Sequence, residues 1–153
     1  MCLARRQIDV TVLEQAPQLT DVGAGIQLGP NCTRVLLDLG LGSGLARAGC
    51  VPDSIRARHW RSGRLVFSDP AGADVETRYG APYYLVHRAD LVALLVDRAR
   101  DEPAIAIELG VRVEGFSAPG TIKASSGGRS ADVIIGADGV NSILRESLLG
   151  AAE

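Results

Sequence analysis

Residues 131–145 read ADVIIGADGVNSILR, and this stretch carries the pattern that decides the fold. The apolar run Val133-Ile134-Ile135 predicts a buried strand, and a helix-like segment follows it. Between the two lies Gly136-Ala137-Asp138-Gly139, where glycine allows a positive φ or a close approach of the backbone. The carboxylate of Asp138 could bind a cofactor, or it could hydrogen-bond only the amides of its own turn. The motif alone leaves both interpretations open.

Strand-like and helix-like segments alternate along the rest of the chain. Nearly all-apolar strands between helices are typical of an α/β domain whose parallel sheet is covered on both faces. Turn signals around residues 53–86 predict a small antiparallel segment inserted in that domain, and residues 17–31 have the composition of a loop. We predict strands at 8–13, 54–61, 64–68, 74–78, 83–86, 105–109, 111–113, 121–124 and 131–135, a turn at 125–128, and helices at 31–39 (capped by Asn31), 88–101 and 141–149 (capped by Asn141 or Ser142).

Composition narrows the class of protein. The 153 residues suit one domain, and the net charge of −2, with scattered Lys and Arg, predicts no nucleic-acid partner. No apolar run approaches the ~18 residues of a membrane span, and the N-terminus lacks the apolar region of a signal peptide. Cys2, Cys32 and Cys50 lack CxxC spacing. They predict free thiols in a reducing cytoplasm and no metal site.

Three more features lie where open α/β sheets bind ligands. Glu14 ends the strand at 8–13, where a carboxylate can accept hydrogen bonds from ribose hydroxyls or can simply be solvated. The glycines of Gly23-Ala24-Gly25 let the backbone approach a flat ligand, or they form a plain turn. Arg88, at a strand-to-helix junction, can reach a phosphate or lie on the surface. The neighbouring His87 is interpreted as packed or exposed, not as catalytic.

In this order, the four features resemble one family, the FAD-dependent aromatic hydroxylases. These are the single-component flavin monooxygenases of the salicylate hydroxylase and 3-hydroxybenzoate 6-hydroxylase type. The resemblance covers nearly the whole chain and implies an α/β fold: a Rossmann-like, glutathione-reductase-like FAD-binding domain over residues 1–153, with a parallel sheet and a small antiparallel insert. The segments that carry it are Ile8–Ala16, Gly23–Asn31, His87–Leu91 and Ala131–Ser142, with Arg145.

The resemblance also implies positions around FAD for eight residues. At the flavin end, Gly23, Ala24 and Gly25 would run beside the ring system, and Arg88 would contact the ribityl or phosphate region. At the other end, Glu14 would hold the adenosine ribose, and Val113 would touch the adenine through its backbone. Asp138 and Gly139 would lie near the pyrophosphate and relate to the use of reduced nicotinamide. These residues hold the cofactor, and the resemblance names no catalytic residue.

Two departures from the family pattern bear on function. The family's N-terminal Gly-x-Gly-x-x-Gly and its later Gly-Asp motif are not among these residues, which implies a fragment truncated at both ends. Gln7 stands where the family often has a turn glycine. Because a pyrophosphate is normally held by amides at a helix N-terminus after the first motif, we expect this isolated chain to be poorly stable, to bind FAD weakly and to lack hydroxylase activity.

The reaction implied by the resemblance uses FAD, NADH or NADPH as co-substrate, and O₂ to hydroxylate a small phenolic or other aromatic substrate. In such enzymes the cofactor carries the chemistry, and the protein supplies binding, orientation and exclusion of water. Two alternatives remain open on the sequence: a flavin-dependent reductase of the same fold, and a non-catalytic gene fragment.

Overall fold

The computed structural model describes residues 1–19, 23–118 and 120–150. They divide into two compact units, the first built from Met1–Asp9 and Leu19–Ile105, the second from Val10–Gln18 and Ala106–Glu153. A short 3₁₀ turn spans Ala4–Arg6. The helices are α1 (Pro30–Asp38), α2 (Gly42–Ala48), α3 (Ala73–Tyr79), α4 (Arg88–Arg100) and α5 (Ile143–Leu149). The strands are β1 (Val10–Glu14), β2 (Gly25–Leu28), β3 (Gly49–Cys50), β4 (Ser54–Arg58), β5 (Leu65–Pro70), β6 (Tyr84–His87), β7 (Ile105–Leu109), β8 (Val113–Ala118), β9 (Thr121–Ala124) and β10 (Gly127–Ser130).

The first unit contains a core formed by its helices and a three-stranded sheet. Strand β6 lies between β2 and β3 and pairs antiparallel with both. Leu45 of α2 is fully buried in this core, and the hydroxyl of buried Thr33 donates to the carbonyl of Leu28 at 3.3 Å. A Cβ on Gly44 would lie 2.5 Å from Leu94, so α2 and α4 pack closely. The buried cluster consists of Leu28, Leu36, Leu39, Leu41, Leu45, Tyr84 and Val86.

A β-hairpin of the first unit is much more exposed than this core. Strands β4 and β5 pair antiparallel, and every residue of β5 is exposed. In the turn between them, 80% of Trp60 is exposed, and the guanidinium of Arg61 stacks on its ring at 4.7 Å. This antiparallel pair lies within the predicted insert, whose bounds at residues 53–86 stay a prediction.

The second unit contains the two-stranded parallel sheet of β1 and β7 and an antiparallel sheet in the order β10-β9-β8. The two terminal nitrogens of the Arg129 guanidinium, Nη1 and Nη2, donate to the Glu108 carboxylate at 2.6 and 2.7 Å, and this pair links β10 to β7. The hydrogen bonds from Arg129 lower the pKa of Glu108. Helices and strands are interspersed along the chain, and parallel and antiparallel sheets are both present, so the predicted α/β class is confirmed.

Two predicted elements are wrong. Residues 74–78 form part of α3, not a strand: Asp74 lies in the first helical turn and Arg78 in the last, as the helix dipole favours. Gly80 ends the helix with a φ of 70°. Residues 131–135 form no strand, and 74% of Val133 and 67% of Ile135 are exposed, because no described strand pairs with this segment.

Smaller errors concern the loops and one cap. The stretch predicted as loop at 17–31 contains β2, whose four residues are too few to show an alternating pattern among the glycines. Asn31 is not the N-cap, since Gly29 takes that place and Pro30 begins α1. Gly127 and Gly128 belong to β10, which leaves only Ser125 and Ser126 in the turn.

Gln7 has a backbone conformation that favours glycine. It ends the 3₁₀ turn with φ 61° and ψ 33°, and no other non-glycine residue of the described ranges has a positive φ. A left-handed backbone conformation costs a residue with a Cβ about 1–2 kcal/mol. Glycine avoids this cost, but its greater conformational freedom in the unfolded chain offsets part of the gain in stability. We expect Gln7→Gly to stabilise the chain by ~0.5–1 kcal/mol in thermal unfolding, and Gln7→Ala to give no such gain. A lower melting temperature for Gln7→Gly would contradict this explanation.

Candidate cofactor-binding site

In the first unit, the segment Gly23–Gly25 lies against the junction of β6 and α4. The backbone N–H of Arg88 donates to the carbonyl of Ala24 at 3.1 Å, and Gly25 lies opposite His87 in the β2–β6 ladder. A Cβ on Gly23 would lie 1.8 Å from Cε1 of the His87 ring. The structure therefore brings the three predicted loop residues and Arg88 together.

Gly25 leaves an open stretch of backbone on this surface. Apart from Gly25 and its two chain neighbours, no described residue has an atom within 4 Å of the position where a Cβ on Gly25 would be. Strand alternation turns Ile26 and Leu28 toward the core, so Gly25 is on the opposite, exposed face of β2. An aromatic ring can contact the backbone here, and any side chain at residue 25 would occupy that space. This geometry fits a flat cofactor.

Arg88 adds positive charge next to this loop. It is the first residue of α4, so its exposed guanidinium lies at the positive end of the helix dipole. Phosphate and sugar oxygens are ordinary partners for an arginine in that position. The arrangement can therefore bind a ligand that combines a flat ring with anionic groups.

In the second unit, Glu14 is held in a turn at the end of β1. Its Oε1 accepts a hydrogen bond from the N–H of Ala16 at 2.8 Å, and its carbonyl accepts one from Val111 at 2.9 Å. Among the described residues, Oε2 has no partner, so one carboxylate oxygen can accept a hydrogen bond from a ribose hydroxyl. Val113, two residues beyond Val111, begins β8 opposite Ala124. The structure thus brings the segments of Glu14 and Val113 together.

The carboxylate of Asp138 accepts hydrogen bonds at the start of the following helix. Its Oδ1 accepts from the hydroxyl of Ser142 at 2.6 Å, and its Oδ2 accepts from the N–H groups of Ile143 at 2.7 Å and Leu144 at 3.4 Å. Ser142 is the N-cap, since its hydroxyl also accepts from the N–H of Arg145 at 3.0 Å. In this structure Asp138 therefore organises its own turn, one of the two interpretations left open by the sequence.

The two glycines of this motif serve different purposes, both expected from the sequence. A Cβ on Gly136 would lie 2.7 Å from Cδ2 of Leu144, which is a close approach of the backbone to α5. Gly139 instead has a φ of 77° with open space around it, so its left-handed conformation is what excludes other residues. Together they fold the chain into the turn that places the Asp138 carboxylate at the start of α5.

The cap on α5 is expected to depend on pH. The hydrogen bond from Ser142, supported by the amides of Ile143 and Leu144, lowers the pKa of Asp138. Because the folded pKa is depressed, the stabilisation is present above the ordinary Asp value of about 3.9 and is lost as pH falls through the folded pKa. Following the amide shift of Ile143 by NMR, we expect a midpoint below about 3.9.

Two variants check this explanation. Ser142→Ala should raise the midpoint toward the ordinary Asp value, since it removes the largest cause of the shift. Asp138→Asn should abolish the transition. A midpoint that does not move in Ser142→Ala would show that the hydroxyl is not the main cause.

Sequence reasoning left the positions of two side chains undetermined. It interpreted His87 as packed or exposed, and in the structure the bare Cα of Gly23 lies under its ring. It also gave Ser142 and Asn141 equal weight as caps, and only the structure distinguishes Ser142.

Cys2, Cys32 and Cys50 are free thiols. Within residues 1–19, 23–118 and 120–150, no group of three or more His, Cys, Asp or Glu side chains could hold a metal ion. In those same ranges no helix combines the length and apolar character needed to cross a bilayer.

Comparisons with known proteins find relatives over nearly the whole chain. The chain is 44% identical over 151 residues to the 3-amino-4-hydroxybenzoate 2-monooxygenase of Streptomyces cremeus, covering 96% of this chain and 38% of that protein. It is 38% identical over 149 residues to the 6-hydroxynicotinate 3-monooxygenase of Pseudomonas fluorescens, covering 97% of this chain and 39% of that one. The chain therefore spans about two fifths of the length of these curated relatives.

Solved structures give the same fold. The tetrameric form of 2-methyl-3-hydroxypyridine-5-carboxylic acid oxygenase superposes with a TM-score of 0.81 at 28% identity, over 95% of this chain and 37% of that one. PqsL of Pseudomonas aeruginosa, in complex with 2-aminobenzoylacetate, gives a TM-score of 0.82 at 23% identity, over 99% of this chain and 42% of that one, and shows the fold alone. The expected FAD-binding fold is confirmed. Since the family model described as FAD binding domain matches residues 1–151, this chain belongs to the FAD binding domain family.

Proposed function

We propose that this chain is the FAD-binding part of a flavin-dependent monooxygenase that uses NADH or NADPH and O₂. The substrate proposed is a small aromatic ring with a hydroxyl and a carboxylate. Relatives named as acting on 3-amino-4-hydroxybenzoate, 6-hydroxynicotinate and 3-hydroxybenzoate share those two groups and support this class. The three free thiols support a cytoplasmic location, and no nucleic-acid partner is proposed.

One observation carries the cofactor assignment: bare backbone at Gly25 lies beside the helix N-terminus that bears Arg88. A flat ring and anionic groups would find suitable partners on this one surface, where β2 lies beside the start of α4. FAD, when bound, supplies hydride acceptance and oxygen activation. The residues of this chain bind and orient it: Arg88 toward the phosphate or ribityl region, and Glu14 toward the adenosine ribose. No proton transfer is assigned to any residue named here.

Segment exchange tests the proposed function. Residues 1–151 of this chain would replace the matching segment of the Streptomyces cremeus relative. We expect the purified hybrid to retain FAD and to form product from 3-amino-4-hydroxybenzoate with oxidation of NADH or NADPH. A hybrid that folds, as judged by cooperative thermal unfolding, but contains no FAD would contradict the proposal. Retained FAD with reductant oxidation but no product would favour a reductase.

A further inference from the structure

The imidazole of His87 occupies the space above Gly23. A Cβ on Gly23 would lie 1.8 Å from Cε1, 2.1 Å from Nε2 and 2.8 Å from Nδ1, so the ring covers the bare Cα. Gly25 is the ladder partner of His87, yet the space above Gly25 is open within the described residues. The ring therefore leans away from its direct partner and over the residue two positions earlier.

The ring has no competing role at the helix that follows it. His87 is the N-cap residue of α4, with φ −72° and ψ 137°, but its side chain makes no capping hydrogen bond. Next to it, the N–H of Arg88 donates to the carbonyl of Ala24 at 3.1 Å. The segment Gly23–Gly25 is thus held by a backbone hydrogen bond at its middle residue and by the ring at its first residue.

We propose that His87 is a positioning residue for the flavin-binding loop, and this inference rests on the proposed function. Its ring holds Gly23 in place and forms a wall beside the open backbone of Gly25. A flavin ring system contacting Gly25 meets a loop that is already ordered, and the entropy of ordering that loop is not lost on binding. The effect acts through Gly23 and applies to the flavin end of the cofactor.

Binding of FAD, FMN and ADP to the whole chain tests this role. In fluorescence and calorimetric titrations, His87→Ala should weaken the binding of FAD and of FMN by about tenfold. This is the effect expected when one backbone residue is no longer ordered before binding. ADP should be unaffected, because it lacks the flavin end. His87→Phe keeps a ring over Gly23 and should stay within about twofold of the wild type. His59→Ala is the matched control, since His59 lies in the hairpin turn.

Enlarging residue 23 while shrinking residue 87 gives a test of their contact that does not depend on any loss of stability. Gly23→Ala should weaken FMN binding because its Cβ meets the ring, and Gly23→Ala combined with His87→Ala should recover part of that loss. Unchanged FMN affinity in His87→Ala, an equal loss for ADP, or no recovery in the double variant would overturn the inference.

Hydrogen exchange of the flavin-free chain separates this inference from the proposed function. If the ring holds the loop, the Arg88 amide should exchange several-fold faster in His87→Ala than in the wild type or in His59→Ala. The proposed function fails if the folded hybrid contains no FAD, whereas the exchange of Arg88 in the flavin-free chain decides separately whether His87 holds the loop. Unchanged exchange would refute it.

Discussion

Replacing Glu14 with glutamine is expected to remove most of the preference of this chain for FAD over FMN. FAD contains the adenosine ribose that Glu14 is proposed to bind, whereas FMN lacks it. A hydrogen bond to a charged group contributes about 1.5–3 kcal/mol. Glu14→Gln should therefore weaken the binding of FAD by ~10-fold or more. FMN affinity should stay unchanged. Equilibrium titration of flavin fluorescence with both cofactors measures the ratio.

The structure suggests why glutamine is the right substitution. The carboxylate oxygen Oε1 accepts a hydrogen bond from Ala16, and the amide oxygen of a glutamine can still accept it. The turn after β1 is then preserved while the negative charge is removed. Glu114→Gln is the matched control: that exposed carboxylate lies 3.9 Å from the Lys123 ammonium in the second unit. Equal losses for FAD and FMN in Glu14→Gln would argue against a ribose contact.

Leu45→Ala is expected to give the largest loss of stability among single truncations in the first unit. Leu45 is fully buried in the core cluster. Truncating a buried leucine costs about 2–5 kcal/mol, because transfer energy is lost and a cavity remains. Chemical denaturation followed by circular dichroism should show a much lower midpoint.

Leu148→Ala is the comparison, since 73% of Leu148 on α5 is exposed. Exposed truncations of this kind usually change stability by less than about 0.5 kcal/mol. Similar losses for the two variants would contradict the buried position of Leu45 in the core of the first unit.

The sequence predicted the elements whose local signals agree with one another. Helix α4 has leucines at helical spacing, Asp90 in its first turn and Arg98 and Arg100 in its last. The turn at Gly136–Gly139 was also recognised, because glycines flanking an aspartate have few other uses. The proposed cofactor-binding positions rest on the order of four weak motifs, which is information that no single motif contains, and they stay a prediction.

Elements that depend on distant partners were predicted poorly. Val133-Ile134-Ile135 has the composition of a buried strand, but a strand exists only with a hydrogen-bonded neighbour, and no described strand pairs with it. Residues 74–78 alternate in polarity, yet the cap at Gly80 and the charges at both ends produced a helix. The contact of His87 with Gly23 links residues 64 positions apart, and no local pattern encodes it.

Amide shift mapping with two cofactor fragments shows whether these residues of the chain hold FAD. Adding FMN to the isotopically labelled chain should shift the amides of Gly23, Gly25 and Arg88. ADP should instead shift Glu14 and Val113, and the hairpin of β4 and β5 should respond to neither. FAD should produce both sets of shifts. Shifts confined to the hairpin, or none with FAD at millimolar concentration, would contradict the assignment of these residues to an FAD site.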